Sequence, residues 1–447
     1  MSAISIQPER VALPKIQLPA WALVPAAALM LGLVFLTGEH RWDRSALKDY
    51  VESADERAVA ATQGNRLRRI AFVALGDTGL LLLVTSGRLP SLRDPMGLVL
   101  LMSIGWTFAS ILWADSTSFT LKRLMLLTLC GSGVAGFASA VSLRQLAVVT
   151  LSITAFYLGM GVFAELSLST FRPWAGGYRF AGTLHPNAQA TNCGAMALAA
   201  FALWRDGAKK KHRSRFGMGR RHIGGVLFLV AVFFLVMTKS RTATAAIVLV
   251  IGMVWATRQS FGTNLIVAGI GLLAAIILGY GLMVSGAGTD VSESANMGRA
   301  DSQGAFNGRL PIWEICIGRV GSQLPIGFGY DGFWTPDRIQ DVSWELGWSI
   351  SSAHSEYIEI ALGLGIIGLL LYLTGMLLGM CWFWVRYMRL GHGGDAMVFG
   401  LLTIGAIQGF METGYLHPNS LAPFVCLVGM TRLAFFTNHA NMWKGTI

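Results

Sequence analysis

The sequence predicts an all-α polytopic membrane protein of about twelve transmembrane helices, with one large loop on its outer side. Three observations lead there. Hydrophobic residues make up 53% of the 447 positions and charged residues only 13%. That is more apolar surface than one soluble core of this length hides. The apolar residues also come in runs of roughly 20, the length needed to cross a ~30 Å hydrocarbon layer. Finally, the net charge of +11 gathers in loops, where lysine and arginine set orientation in the membrane. That placement excludes a nucleic-acid surface.

By hydropathy the spans run over residues 19–37, 70–86, 95–113, 121–141, 145–167, 187–204, 223–238, 243–257, 263–284, 356–384, 396–412 and 419–436. The loop between the sixth and seventh holds Lys209, Lys210, Lys211, Arg213, Arg215, Arg220 and Arg221, which places it in the cytoplasm. Arg386 and Arg389 agree. Counting outward, both termini are cytoplasmic, and residues 168–186, 239–242, 285–355 and 413–418 are outer. Arg66, Arg68 and Arg69 disagree with this count, and residues 41–69 fit an amphipathic surface helix. The first apolar run is long enough to remain as a span, so no cleavable signal peptide is expected. Five scattered cysteines form no disulfide framework and no CxxC metal site.

Residues 1–284 therefore read as an N-terminal bundle of about nine spans and 356–447 as a C-terminal bundle of about three. Between them, residues 285–355 form the large outer loop, which carries part of the site. The three parts make one integral membrane unit. A loop this long calls for a function. It is rich in rings: Trp313, Phe328, Tyr330, Phe333, Trp334, Trp344 and Trp348, with Gly327 to Tyr330 as a tight turn presenting them. Aromatic faces stack on sugars. Singly each ring also fits an interfacial belt; together in one loop they point to binding.

His354 and Ser355, followed nine residues later by Gly365 and then Gly368, stand at the mouth of the long apolar run after this loop. An imidazole there can take a hydroxyl proton near neutral pH; it also fits a helix-capping role. Arg179 lies in the stretch from Gly177 to His185, Pro186 and Asn187. Lys239, Ser240 and Arg241 fill a short link between spans, and Arg309 precedes Trp313. Guanidinium groups bind phosphate oxygens in a planar fork, although a lone arginine here also fits interfacial snorkelling. Arg179, His185, Arg241, Arg309 and His354 are distant in sequence yet all outer by the count. The outer acids Asp290, Glu293, Asp301 and Asp331 lack ligand-like spacing, so metal-independent chemistry without a cofactor is expected. His417, Pro418 and Asn419 repeat the His185 tripeptide at another span start. This repeat reads as helix punctuation or as two corners of one cavity. The Gly365 and Gly368 pair is expected to let helices approach closely.

These residues resemble the O-antigen ligase and polysaccharide polymerase superfamily, particularly its exopolysaccharide-production branch. The resemblance rests on His354, Ser355, Gly365 and Gly368, with Ala353 to Glu359 similar to the family's histidine segment. It is joined by Arg179 with His185 to Asn187, Ser240 with Arg241, Gly308 and Arg309 with Trp313, and the junction from Trp113 to Arg123. It spans roughly 100–435. Membership implies a metal-independent glycosyltransferase in the bacterial inner membrane with a periplasmic site and an undecaprenyl-diphosphate-linked glycan as donor. The acceptor would be a glycan or a lipid-linked repeat, with membrane lipid around it and polysaccharide export or chain-length proteins as partners. Arg179, Arg241 and Arg309 would hold the diphosphate and His354 would be the base. His185, Asn187, Lys239, Ser240, Trp313, Tyr330 and Glu356 would support them. Gly363 stands where many relatives carry Glu, so that acid would come from Glu356 or Glu359. The branch resemblance favours a polymerase over an O-antigen ligase acting on lipid A–core or a protein O-oligosaccharyltransferase. A transporter would instead use mid-membrane ionisable residues, of which Asp77 is the clearest.

Overall fold

A computed structural model describes residues 19–40, 65–88, 90–92, 94–175, 177–209, 217–257, 309–414 and 418–437. Among the described residues every regular element is helical. The helices are α1 (Ala20–Glu39), α2 (Arg66–Ser86), α3 (Pro95–Ala109), α4 (Thr117–Ala140), α5 (Leu143–Ser167), α6 (Pro186–Lys209) and α7 (Gly217–Met237). They continue with α8 (Arg241–Ala256), α9 (Arg309–Ser322), α10 (Pro336–Leu346), α11 (Glu356–Leu390), α12 (Gly393–Gln408) and α13 (Leu421–Phe436). Each predicted span meets one of these except 263–284, which lies outside the described residues, as does most of 41–69.

Among the described residues five helical stretches are long and apolar enough to cross a membrane: Trp21–Glu39, Pro95–Leu112, Thr117–Ala140, Leu143–Ser167 and Glu356–Leu390. Arg221–Met237, Arg241–Ala256, Gly393–Gln408 and Leu421–Phe436 are apolar but shorter. Local chemistry sets several starts. Ser142 and Gln145 exchange bonds in a capping box that opens α5, and Asn65 caps α2 by accepting the Leu67 amide at 2.8 Å. Because α2 starts at Arg66, the three early arginines ride its first turn rather than a preceding loop.

Small residues bring the spans together. A Cβ on Gly79 would lie 2.2 Å from the Ser132 carbonyl oxygen, so α2 and α4 touch backbone to backbone. Asp77 is exposed on the other side of α2.

Residues 309–355 fold onto the start of α11 around their own apolar centre. Ile312, Cys316, Phe328, Phe333, Trp334, Ile339, Val342, Ile350 and Ala353 are buried there with Leu362. The ring prediction is thus corrected. Phe328, Phe333 and Trp334 are only 2–7% exposed and build this core, and Tyr330, 3% exposed, is buried in a neighbouring cluster, so none of the four offers its face. The Arg338 guanidinium lies 4.4 Å over the Phe328 ring, and it also pairs with Asp115, tying α10 to the segment after α3. Trp344 and Trp348 alone among the seven rings stay largely open to the outside, at 89% and 47% exposure.

Gly365 also acts differently from expectation. Gly365 adopts φ 68°, ψ −170° and kinks α11. The kink frees backbone groups that a straight helix would use internally. The Leu362 carbonyl accepts the Phe328 amide at 2.8 Å, and the Ile366 amide donates to the Leu324 carbonyl at 2.9 Å. Trp106 Nε1 donates to the Leu364 carbonyl at 2.9 Å. A Cβ on Gly365 would sit 2.4 Å from the Pro325 carbonyl oxygen. The glycine seats a loop, not a neighbouring helix.

Candidate active site

The loop between α5 and α6 carries Arg179, and an acid beneath it sets its shape. Glu165, buried near the end of α5, accepts the Tyr178 hydroxyl and the amides of Ala181 at 3.0 Å and Gly182 at 2.8 Å. Burial, then the bond and charge of Glu165, push the Tyr178 hydroxyl well above its ordinary value, so it remains a donor. His40 adds a second hold. Its Nδ1 shares a 2.6 Å hydrogen bond with Thr183 Oγ1, and its ring meets Tyr157 edge-on at 4.3 Å.

This loop is clipped to the turn between α7 and α8. The Phe180 amide donates to the Met237 carbonyl at 2.9 Å, and Arg179 Nε donates to the Thr238 carbonyl at 3.0 Å. The guanidinium thus sits at the carboxyl end of α7, where exposed carbonyls favour positive charge. Lys239, with φ 50°, reverses the chain, and buried Ser240 precedes Arg241, the first residue of α8. The Arg179 motif and the Lys239–Arg241 link, 60 positions apart in the chain on the basis of 179 and 239, are therefore neighbours.

Arg179 Nη2 donates to Asn187 Oδ1 at 3.1 Å. Asn187 Nδ2 in turn donates to Glu412 Oε1 at 2.6 Å, and Arg309 Nη2 reaches the same oxygen at 2.7 Å. His354 Nδ1 stands 4.0 Å from Glu412 Oε2. One carboxylate thus gathers an arginine, the asparagine that links a second arginine, and the histidine. All are half-buried side chains at one end of the bundle. At the other end lie the Asp206 carboxylate, which accepts the Gly393 amide at 2.9 Å, and the buried Arg386–Asp395 pair at 2.9 Å.

The histidine is held by its neighbours. It has φ 49°, a conformation that costs an ordinary residue free energy. The Ala353 carbonyl accepts Trp313 Nε1 at 3.1 Å, and the Ala353 amide donates to Glu359 Oε1 at 2.7 Å. Trp334 Nε1 also donates to Glu359, at 2.9 Å to each oxygen. After His354, the Glu356 amide donates to the Gly409 carbonyl at 2.7 Å and the Glu412 carbonyl at 3.2 Å, and Glu356 Oε2 accepts the Gly414 amide at 2.7 Å. The segments bearing His354 and Glu412 are thereby stitched together.

Several expected supports land elsewhere. Trp313 supports the backbone rather than offering its face. Tyr330 is buried with Leu124 and Leu364 in a separate cluster, beside an Arg123–Asp331 pair at 3.1 Å. Its amide donates to Ser110 Oγ at 2.9 Å, and burial raises its hydroxyl well above the ordinary value. His185 is exposed, and its Nδ1 accepts the Asn187 amide at 3.3 Å. Its counterpart His417 lies outside the described residues. Gly363 packs against the turn at Gly329–Asp331, where a Cβ would be 3.3 Å from the Gly329 carbonyl oxygen. A side chain at that position would have to press the turn back by a few tenths of an ångström.

Sequence reasoning missed Glu412 because it closes an apolar run and reads as the last residue of a span. Its signal was available: it is the one carboxylate at the C-terminal border of the apolar run 396–412, and an ionisable residue that close to apolar sequence points to a partner.

Residues 226–373 match the family model described as O-antigen ligase. The match takes in Lys239, Ser240, Arg241, Arg309, Trp313, Tyr330, His354 and Glu356, while Arg179, His185, Asn187 and Glu412 lie outside it. No curated protein matches the chain.

Proposed function

We propose, from the premise that residues 226–373 are of the O-antigen ligase type, that this membrane protein is a glycosyltransferase polymerising undecaprenyl-diphosphate-linked repeat units at the periplasmic face of the bacterial inner membrane. The observation that carries this reading is the linked set Arg179–Asn187–Glu412–Arg309, with His354 at its edge. It combines anion-binding guanidinium groups with an imidazole, which are the two groups the chemistry needs.

A lipid diphosphate is already a good leaving group. In the reading, Arg179, Arg241 and Arg309 neutralise it as the anomeric carbon–oxygen bond breaks and its oxygen keeps the electron pair. The acceptor hydroxyl oxygen bonds to the anomeric carbon, and its proton passes to His354 Nε2 and then to solvent. Base catalysis of this kind contributes ~10²–10⁴ in rate, and preorganised cations at the departing charge contribute several kcal/mol more, on the order of 10²–10³ in rate. No step calls for a metal. Trp344 and Trp348 are the rings left open to stack on the glycan.

Topology supports the same side for all of these groups. The twelve-span count puts the lysine-rich 209–221 loop in the cytoplasm and the Glu412 cluster opposite it. A ligase that delivers finished glycan to lipid A–core is favoured by the description of the matched family itself. A deletion strain separates the two. Single repeats accumulating on lipid carrier indicate the polymerase, and long chains stranded on it indicate the ligase. Unchanged lipid-linked pools contradict both.

A further inference from the structure

Glu412 raises a question that the reaction alone does not answer: why a donor site for a diphosphate should hold a carboxylate against one of its arginines. We propose that Glu412 is a resident counter-anion that competes with the donor's diphosphate for Arg309 and, once displaced, becomes the partner that orients His354. The proposal rests on the glycosyltransferase reading above.

The geometry carries it in three parts. First, Glu412 Oε1 takes both Arg309 Nη2, at 2.7 Å, and Asn187 Nδ2, at 2.6 Å. A diphosphate offers more charge and more acceptor oxygens to the same planar fork, so it outcompetes a single carboxylate. Second, Glu412 Oε2 lies 4.0 Å from His354 Nδ1, beyond a hydrogen bond by about 1 Å. A turn of the side chain closes that gap. Third, the backbone does not have to move. The Glu412 amide donates to the Gln408 carbonyl at 2.8 Å, and its carbonyl accepts the Glu356 amide at 3.2 Å.

Asn187 is the tether during the exchange, because its Oδ1 accepts from Arg179 at 3.1 Å while its Nδ2 holds the carboxylate. With Glu412 accepting from Nδ1–H, the imidazole is fixed in the tautomer whose Nε2 takes the acceptor's proton. Donor loading and alignment of the base are then coupled through one side chain. Glu412 is a positioning residue in this scheme, since it acts through Arg309 and His354.

The test uses the full-length protein in lipid nanodiscs, with undecaprenyl diphosphate as the binding probe and transfer from a lipid-diphosphate glycan as the activity. Glu412→Gln keeps the shape and removes the charge. It is expected to bind the probe about 3–10-fold more tightly, in line with losing one competing ion pair, while transfer at saturating donor falls about 10–100-fold. Glu412→Asp is expected to recover part of the transfer rate. A misfolded variant would not bind more tightly, so the two changes in opposite directions separate this role from a structural one. Unchanged or weaker probe binding by Glu412→Gln overturns the competition. Tighter binding with an undiminished transfer rate overturns the link to His354. If the wild-type protein itself fails to bind the probe, the glycosyltransferase reading falls and this proposal falls with it.

Discussion

Glu359 Oε1 accepts the Ala353 amide at 2.7 Å, so a side chain in the first turn of α11 fixes the peptide that leads into Ala353, the residue before His354. Trp313 holds the other side of the same residue through its carbonyl, at 3.1 Å. Two bonds on one residue are what keep the following histidine at φ 49°.

Trp313→Phe keeps the ring and deletes the bond. It should lower transfer about tenfold through misalignment of the base, while donor affinity stays near wild type. Steady-state transfer assays beside probe binding decide the matter; a matched loss of both would mean that the indole contacts the donor.

Gly365 is the pivot on which the 309–355 segment sits. Gly365→Ala places a methyl 2.4 Å from the Pro325 carbonyl oxygen at φ 68°, two costs that together exceed about 2 kcal/mol. Limited proteolysis should show cleavage within residues 320–330 at protease levels that leave the wild type intact. Gly318→Ala, where nothing lies within 4 Å of the added atom, is the matched control and should be resistant.

Arginine should not be replaceable by lysine at position 179. Its guanidinium donates to the Thr238 carbonyl from Nε and to Asn187 Oδ1 from Nη2, and one ammonium cannot span both in that geometry. Arg179→Lys should therefore weaken donor use nearly as much as Arg179→Ala, measured as kcat/KM for the lipid-linked donor. Full activity in the lysine variant would show that charge alone matters there.

His40 predicts an acid weakness. Burial lowers its pKa from 6.5 to about 4. The unfolded chain then takes up a proton that the folded one refuses, so stability is full above pH 6.5 and declines as pH falls toward 4. The slope is at most about 1.4 kcal/mol per pH unit. Thermal unfolding of wild type and His40→Gln between pH 7 and 4.5 should show a smaller acid-side decline in the variant; parallel curves would remove His40 from the account.

Hydropathy marks the helices well because a long apolar run in a membrane has few other ways to satisfy its backbone. The 309–355 segment defeats it for the opposite reason. Phe328, Phe333 and Trp334 look like surface rings in a polar loop, and only tertiary contact with Leu362 shows them to be a core. Asn187 and Arg309 stand out by their motifs. Glu412 and Glu165 do not, since each is a single acid beside apolar sequence whose meaning lies in backbone amides and side chains of other segments.

The proposed transfer site unites one imidazole and a set of guanidinium groups at one end of the bundle. It is tested most directly by purified His354→Ala, assayed in one preparation for probe binding and for glycan transfer. The account predicts undecaprenyl diphosphate binding close to wild type with transfer reduced by at least about 10². Transfer at the wild-type rate from a folded His354→Ala protein would contradict it.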